Sequence, residues 1–384
     1  MNSSARNSDH FYRPELDVLR FIAFFLVLIL HTSPPLLDSY KAWYASPSVR
    51  LVLYRLFSAG GFGLSIFFCL SAYLIATLLL RERSRTGDIN LKAFYIRRIL
   101  RIWPLYFAAL FAGFLRSYTG HLQHYPLAFL FYIFLAGNWY CAIYGFPLNP
   151  ILPLWSISVE EQFYLFIPLS AKRGGHRMLV IVASLLFIFF LICLAVLVHL
   201  HAVKDAAVWT NSFVQFSAFA SGLLLAVWLH LSPRPKSSLG MQVSLGLAAA
   251  ALLVGASLIF HIRDHAPATS WVSLTLGYIA ASVGCALYIY AFLIRPWKPF
   301  PFLIYLGKIS YGLYVFHSWA IGIAKVILLR FFPSIQIDSV PYFACLLTLS
   351  FLGALFMASL SYRYLESPFL RLKDRFAIVH SRPV

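Results

Sequence analysis

The sequence predicts an all-α fold, a polytopic transmembrane helical bundle of about ten spans with one short re-entrant or interfacial segment. This prediction depends on the composition, on the lengths of the apolar runs and on the positions of the basic residues. Of the 384 residues, 61% are hydrophobic and 11% are charged, whereas soluble domains carry about 25% charged residues. We therefore expect a multi-pass membrane protein in which residues 1–384 form one membrane domain.

Ten apolar runs are long enough to cross a bilayer, which takes roughly 20 mostly apolar residues. The first run is retained as a span because residues 1–20 are too polar for a cleaved signal peptide. The predicted spans lie near residues 18–37, 62–80, 103–118, 154–171, 178–199, 212–231, 239–260, 271–294, 303–328 and 341–362.

The aromatic run 127–139 is shorter and is predicted to be re-entrant or to lie on the membrane surface. Residues 81–101 contain seven Lys or Arg and two acidic residues, which indicates a cytoplasmic segment. If the 127–139 run does not cross, the later basic tracts fall on that same side, namely 172–177, 232–238, 295–298 and the tail from Arg363. This register predicts that both termini are cytoplasmic, with a bacterial inner membrane as the location.

The composition argues against a nucleic-acid partner, a disulfide framework and a metal site. The net charge of +18 would suggest nucleic acid in a soluble protein, but here the cytoplasmic loops of a membrane protein explain it. The five cysteines form no CxxC pair and show no Cys/His ligand spacing. Neither a disulfide framework nor a metal site is therefore expected.

The first apolar run contains an arginine and a histidine eleven residues apart, Arg20 and His31. On an α-helix this spacing is about three turns and 16 Å of rise, so both side chains lie on one stripe, and Asp17 joins it three residues before Arg20. We expect Arg20 at the cytoplasmic boundary and His31 near mid-membrane. An imidazole there can act as a general base, or it can cap the helix end or hydrogen-bond a neighbour.

Basic residues also mark the start of the third span, where Arg97, Arg98 and Arg101 follow one another. Arg98 and Arg101 share a helix face, and guanidinium groups match phosphate oxygens. A phosphate-rich cytosolic ligand would fit this face. The alternative is that the cluster only sets the topology.

Adjacent acidic residues, Glu160 and Glu161, lie inside a predicted span, about 10 Å from the outer face. They point about 100° apart, so we expect one to work in a site and the other to find a structural partner. Glu160 shares a face with Ser156 and Tyr164. The alternative is that both acids pair with arginines between helices.

A polar stripe in the ninth span comprises Ser310, Tyr314 and His317, and helix packing through hydroxyl groups explains it as well as chemistry does. Tyr311 is expected to be a packing residue. Glu366, beside Pro368, is expected to fix a helix end.

Taken together, these motifs resemble the acyltransferase 3 family of integral membrane acyltransferases. The resemblance runs in order from about residue 12 to 372, with one departure at Ala72 and Tyr73, where the family has Gly-Phe. Its motifs are "RPELDVLR" (13–20) leading into Arg20-x10-His31, "FFCLSAYLI" (67–75), Arg98-x-x-Arg101, "LWSISVEEQFY" (154–164), "GKISYGLYVFH" (307–317) and "SYRYLESPF" (361–369).

The resemblance implies transfer of an acyl group, usually acetyl, from cytosolic acyl-CoA to a hydroxyl of an extracytoplasmic carbohydrate or glycolipid. Acyl-CoA is then a substrate, and no permanently bound cofactor is expected. His31 and Glu160 are predicted to be catalytic, with the arginines at the cytosolic mouth, the acids approaching from the opposite side and His31 between them. The predicted donor-binding residues are Arg20, Arg98 and Arg101, and the supporting residues are Asp17, Arg97, Ser156, Glu161, Tyr164, Ser310, Tyr314 and His317.

Membrane lipid and a separate periplasmic acyl-handling protein are further partners that this scheme leaves open. A rival hypothesis is a transporter or flippase that uses Arg20, His31 and Glu160 as an ion or proton relay. The sequence lacks the paired repeats of many such proteins. A glycan polymerase or ligase with a lipid-linked donor is a third hypothesis, and the absence of a long external loop argues against it.

Overall fold

A computed structural model describes residues 11–119, 126–203, 205–232, 237–262 and 270–376. Within these ranges the chain forms helices joined by turns and contains no β-strand, which confirms the all-α prediction. Its α-helices are α1 (Pro14–Thr32), α2 (Pro47–Ser58), α3 (Phe62–Thr86), α4 (Leu91–Thr119), α5 (Pro126–Ile133), α6 (Gly137–Tyr144), α7 (Trp155–His199), α8 (Asp205–Trp209), α9 (Ser212–Leu231), α10 (Leu239–Leu258), α11 (Trp271–Ile294), α12 (Pro301–Lys308), α13 (Ser310–Phe331), α14 (Val340–Ser361) and α15 (Ser367–Asp374).

Eight helical stretches of the described residues are long and apolar enough to cross a membrane. Two predicted spans, 154–171 and 178–199, lie together on α7, whose 45 residues are divided at Gly175 by a backbone φ of 57° and ψ of −139°. Helix α1 is not among the eight because its first two turns carry Glu15, Asp17 and Arg20. Together with α1, and with α7 counted as two spans, the eight stretches correspond to the ten predicted spans.

Several span boundaries differ from those predicted. The predicted span 303–328, for example, is divided between α12 and α13, which begins at Ser310. Helix α1 begins at Pro14, which suits the first helical position, and ends at Thr32 rather than at residue 37. It ends there because the residue before a proline disfavours helical geometry, and Ser33, before Pro34, is extended with ψ 156°. Helix α4 starts at Leu91 instead of 103. Its 29 residues extend about 43 Å, so its arginine-bearing part reaches beyond a hydrocarbon core of about 30 Å.

The aromatic run 127–139 forms parts of α5 and α6, which contain eight residues each. Each helix is about 12 Å long, so neither crosses a bilayer, in agreement with the prediction. The amide nitrogen of Gln162 on α7 donates to the Leu135 carbonyl (3.0 Å) and to Asn138 Oδ1 (2.9 Å). The two short helices therefore form a hairpin held against α7.

The basic tracts gather at one end of the bundle, which we call the basic end. Two contacts join three of these tracts: Lys172 Nζ to Asp88 Oδ2 (2.6 Å) and Arg97 Nη1 to the Phe376 carbonyl (2.6 Å). Arg13 Nη2, just before α1, donates to the carbonyl of Leu293 (3.0 Å), just before the tract 295–298. The common end agrees with the register predicted from the charges. Residues 233–236 of the tract 232–238, and both chain termini, lie outside the described residues.

Close helix contacts hold α1 in the middle of the bundle. A Cβ atom on Gly63 of α3 would lie 2.2 Å from the Ala23 carbonyl oxygen, and one on Gly307 of α12 would lie 2.0 Å from the Asp17 carbonyl oxygen. Such small residues let helix backbones approach closely. Alanine at either position would push a neighbouring helix away from α1 and displace the polar residues that α1 carries.

Candidate active site

A cavity of about 160 Å³, here called the arginine cavity, is enclosed by α1, α3, α4, α7 and α13 near the basic end. Its charged lining comprises four arginines and two acidic residues, namely Arg13, Arg20, Arg98, Arg101, Asp17 and Glu160. Its remaining lining is mostly leucine, isoleucine, phenylalanine and hydroxyl-bearing side chains. An excess of guanidinium groups in an enclosed site favours an anionic ligand.

Asp17 holds the α1 part of this cavity together. Its Oδ1 accepts a hydrogen bond from Arg20 Nη1 at 2.8 Å, and its Oδ2 accepts one from Tyr12 Oη at 2.9 Å. Asp17 is itself 1% exposed, so this is a buried ion pair. The i, i+3 spacing of Asp17 and Arg20 predicts this pair, and it fixes the arginine on the cavity wall.

Both arginines of the Arg-x-x-Arg motif, Arg98 and Arg101, line the arginine cavity and also a smaller cavity of about 30 Å³ beside it. Arg98 Nε is buried and has no hydrogen-bond partner among the described residues. A buried donor without an acceptor is costly, and an anionic ligand would satisfy it. Arg97 instead pairs with Glu82 through Nη2 and Oε2 at 3.2 Å, and it lines only the smaller cavity.

The two adjacent glutamates of α7 have separate partners, as their angular separation predicts. Glu160 lines the arginine cavity, where Oε1 accepts hydrogen bonds from Ser71 Oγ (2.5 Å) and from Tyr164 Oη. Glu161 faces another direction, and its Oε2 accepts a hydrogen bond from Trp103 Nε1 at 3.1 Å. Glu160 is therefore the acid of the cavity, and Glu161 is a packing partner of α4.

The position of Glu160 corrects one expectation. The sequence predicts that Glu160 approaches from the side opposite the arginines, yet it lies in the same cavity as Arg98. The reason is that α7 starts inside the bundle, where Ser156 Oγ is buried and lies 2.8 Å from Tyr314 Oη. Glu160 is about 6 Å further along the helix, so it is deeper than a span starting at the membrane surface would place it.

A second cavity of about 480 Å³, here called the histidine cavity, lies where α1 ends, between the turn after α1 and the helices α2, α13 and α14. His31 is exposed and lines this cavity rather than the arginine cavity. The predicted position of His31 between the arginines and the glutamates is therefore wrong. The polar lining comprises His31, Thr32, Ser33, Ser39, Tyr40, Tyr54, Ser58, Lys325, Asp338 and Tyr342.

One buried layer of α13 lies between the two cavities. Ser310 and Tyr314 line the arginine cavity, and Tyr314 Oη also lies 3.2 Å from the Pro153 carbonyl oxygen. His317, one turn further along, is 0% exposed. Its Nε2 lies 3.1 Å from His31 Nδ1, and the two rings are stacked with centroids 5.0 Å apart. The predicted stripe of three residues thus extends from the arginine cavity to His31, which lines the histidine cavity.

Several lining residues were not identified from the sequence. Ser71 was visible only as a polar residue inside an apolar run, and Tyr311, expected to be a packing residue, lines the arginine cavity and donates to the Ile102 carbonyl at 2.8 Å. Lys325 and Asp338 of the histidine cavity carry no local signal, because they meet His31 only in the folded chain.

One further predicted residue, Glu366, lies outside the lining of both large cavities. Glu366 accepts a hydrogen bond from Ser361 Oγ at 3.0 Å within the π-helical turn Tyr362–Glu366, which fits the predicted role at a helix end. Within the described ranges, no group of three or more His, Cys, Asp or Glu side chains could hold a metal ion.

Comparison with known proteins places this site in a family. The family described as an acyltransferase domain matches residues 13–359. The chain belongs to this acyltransferase family. The matched region contains every charged residue that lines either large cavity. No solved structure gives a significant match.

The chain is similar to proteins that are named as O-acetyltransferases. The O-acetyltransferase OatA of Staphylococcus aureus, from strains NCTC 8325 and COL, is 29% identical over 366 residues, covering 88% of this chain and 57% of the relative. A protein of S. aureus strain MSSA476, provisionally named an O-acetyltransferase, is 29% identical over 395 residues, covering 93% of this chain and 57% of the relative. The chain therefore spans little more than half the length of these curated relatives.

Proposed function

We propose that the chain is a membrane O-acyltransferase that moves an acyl group, acetyl in the simplest case, from acyl-CoA to a hydroxyl of a carbohydrate or glycolipid. The donor enters at the basic end, and the acceptor binds at the end that carries His31. One observation carries the proposal. Two cavities lie at opposite ends of α1, with Arg20 on one and His31 on the other, and one buried layer of α13 lies between them.

The chemistry of the arginine cavity supports acyl-CoA as the donor substrate. Coenzyme A has phosphates at one end, a thiol at the other and a flexible pantetheine arm between them. The phosphates match the excess of guanidinium groups, including the buried Nε of Arg98 that has no partner among the described residues. The apolar part of the lining suits the arm. Arg20 and His31 are about 16 Å apart along α1, a distance that the arm would span.

The proposed transfer step uses His31 as the base. Its imidazole accepts the proton of the acceptor hydroxyl while that oxygen attacks the thioester carbonyl. The new C–O bond forms as the C–S bond breaks, and the imidazolium returns the proton to the leaving thiolate. The products are the ester and free coenzyme A. In this scheme Glu160 belongs to the cavity that binds the donor, where Ser71 and Tyr164 donate hydrogen bonds to its carboxylate.

The histidine cavity supports a carbohydrate acceptor. Its lining combines hydroxyl groups with the aromatic rings of Tyr40, Tyr54 and Tyr342, and sites of this kind suit ligands that present both polar edges and apolar faces. Burial raises the pKa of Tyr40 to about 12, so its hydroxyl stays protonated across the physiological range. The O-acetyltransferase names of the relatives support a hydroxyl as the acceptor group and acetyl as the acyl group.

The orientation follows from the same proposal. Because Lys and Arg accumulate in cytoplasmic loops, we propose that the basic end, where Lys172 and Asp88 meet, faces the cytoplasm of a bacterial cell. The arginine cavity would then be loaded from the cytosolic pool of acyl-CoA. The histidine cavity would meet the acceptor on the other side of the membrane.

The purified protein and acetyl-CoA with a labelled acetyl group test this function. We expect saturable binding of the label and, with an extract of cell-surface glycans, release of coenzyme A and a base-labile label on the glycan. A protein that binds no acetyl-CoA and releases no coenzyme A would contradict the enzyme proposal and favour the transporter hypothesis. His199→Gln, at an exposed position at the end of α7, serves as a control that should behave like the unchanged protein.

A further inference from the structure

We propose that His317 is a positioning residue that fixes which nitrogen of His31 carries the proton, and that it does so through the backbone carbonyl of Tyr314. The inference rests on the proposed function of His31 as the base. It assigns a task to a buried histidine that contacts neither proposed substrate. The three groups form one continuous chain of hydrogen bonds.

The first bond of this chain sets the protonation of His317. Its Nδ1 lies 2.5 Å from the Tyr314 carbonyl oxygen. A carbonyl oxygen only accepts, so Nδ1 must carry the hydrogen and donate it. The ring is 0% exposed and contacts the ring of Phe24 edge-on at 6.4 Å, where a charged ring would be costly. In the neutral ring the lone pair is therefore on Nε2.

The second bond sets which nitrogen of His31 carries the hydrogen. His317 Nε2 lies 3.1 Å from His31 Nδ1, and because Nε2 is the acceptor, His31 Nδ1 must be the donor. Neutral His31 then has its lone pair on Nε2, on the other side of the ring. The opposite tautomer would carry a hydrogen at that atom and could not accept a proton from a hydroxyl group.

The arrangement also helps the transfer step itself. When His31 accepts a proton, its ring becomes a cation, and its Nδ1–H donates a charge-assisted bond to His317, which is stronger than the neutral one. A base oriented by a third group is a general feature of activated nucleophile systems. The stacked geometry, with 29° between the ring planes, restricts rotation of His31 as well.

Two substitutions of His317 separate positioning from packing. His317→Gln keeps a carbonyl oxygen that can reach the position of Nε2 and accept from His31 Nδ1–H. His317→Leu fills similar space but offers no acceptor. We expect His317→Leu to lower kcat about 10- to 100-fold, by analogy with the loss of a partner that orients a metal-ligating histidine, with an unchanged KM for acetyl-CoA. His317→Gln should recover most of this loss. Equal losses in both variants, or unchanged kcat in His317→Leu, would overturn the inference.

Nitrogen-15 NMR of histidine-labelled protein in membranes gives a readout that needs no catalysis. The chain has 12 histidines, and the His31 signals are those missing from the His31→Gln spectrum. We expect neutral His31 to carry its hydrogen on Nδ1 and none on Nε2. In His317→Leu, we expect both tautomers of His31 to be populated. A protonated Nε2 in the unchanged protein would overturn the inference even if His317→Leu fails to fold.

These outcomes separate the inference from the function on which it rests. If His31→Gln keeps normal turnover, His31 is not the base and the proposed function fails, whatever tautomer NMR reports. If His31→Gln is inactive while His317→Leu turns over normally, the proposed function stands and the positioning role fails.

Discussion

The two large cavities are lined by different kinds of secondary structure, mostly helices in one and many turn residues in the other. The arginine cavity is lined mostly by residues within long helices, and its polar groups hydrogen-bond one another, as in Arg20 with Asp17 and Ser71 with Glu160. The histidine cavity is three times larger, about 480 Å³ against about 160 Å³. Much of its wall comes from the turns after α1 and before α14, including Asp338 with its φ of 66°.

This difference suggests separate tasks for the two ends. A site held inside packed helices keeps a fixed geometry, which suits the proposed donor site. Turns vary more easily than helices and often carry specificity, which suits the proposed acceptor site. We therefore expect changes in the arginine cavity to affect the donor, and changes in the turns of the histidine cavity to affect the acceptor.

The largest effect is expected from His31→Gln. A general base contributes about 10²–10⁴-fold in rate, and glutamine cannot take up the proton of the acceptor hydroxyl. Transfer from labelled acetyl-CoA should be almost abolished, while the affinity for acetyl-CoA, measured by equilibrium binding, should not change. If the variant turns over normally, His31 is not the base, and Glu160 is the next candidate.

The double substitution Arg98→Ala and Arg101→Ala should affect only the donor. A hydrogen bond to a charged group is worth about 1.5–3 kcal/mol, so losing two such residues should weaken acetyl-CoA binding at least roughly 100-fold. Turnover at saturating donor should change far less. Arg116→Ala, at an exposed position on the same helix, is the matched control. If the double variant binds acetyl-CoA as tightly as Arg116→Ala does, the two arginines only set the topology.

A smaller effect, on the acceptor rather than the donor, is expected from Asp338→Asn. Asparagine tolerates the positive φ of this position and keeps the backbone carbonyl that accepts a hydrogen bond from Trp43 Nε1 at 2.5 Å, so the turn should fold. Replacing a charged acceptor by a neutral one costs roughly 1 kcal/mol, or about five-fold. We expect that increase in KM for the glycan acceptor and none for acetyl-CoA.

The control for this prediction is Asp38→Asn, whose carboxylate is 80% exposed and does not line the histidine cavity. Kinetics with each substrate varied in turn would check both variants. If Asp338→Asn instead raises KM for acetyl-CoA, the donor reaches the histidine cavity with more than its thioester, and the assignment of the two ends needs revision.

Features that depend on local spacing were predictable from the sequence. The pairing of Asp17 with Arg20, the shared face of Arg98 and Arg101 and the divergence of Glu160 from Glu161 all follow from helix geometry. The depth of each helix was not predictable, because the hairpin of α5 and α6 lies beside α7 and lets α7 begin inside the bundle. For this reason the sequence predicts the wrong side for Glu160.

Contacts between distant segments were equally inaccessible to sequence reasoning. The bond between His31 and His317 joins residues 286 positions apart. Residue spacing predicts the helix face on which each histidine lies, but not that the two side chains meet. The wall of the histidine cavity joins the turn after α1 to the turn before α14. Apolar packing of the intervening helices brings these turns together, and no local pattern records it.

In the proposed function, donor and acceptor enter from opposite ends of the bundle, and sealed membrane vesicles of known orientation can separate the two entrances. Acetyl-CoA with a labelled acetyl group, which does not cross membranes, would be added to sealed inside-out vesicles and to sealed right-side-out vesicles from cells expressing the protein. The His31→Gln protein would be the blank in both preparations. We expect base-labile label on the glycan fraction only in inside-out vesicles, where the cytoplasmic face is accessible. Equal labelling in sealed right-side-out vesicles would show that the donor does not enter at the cytoplasmic face.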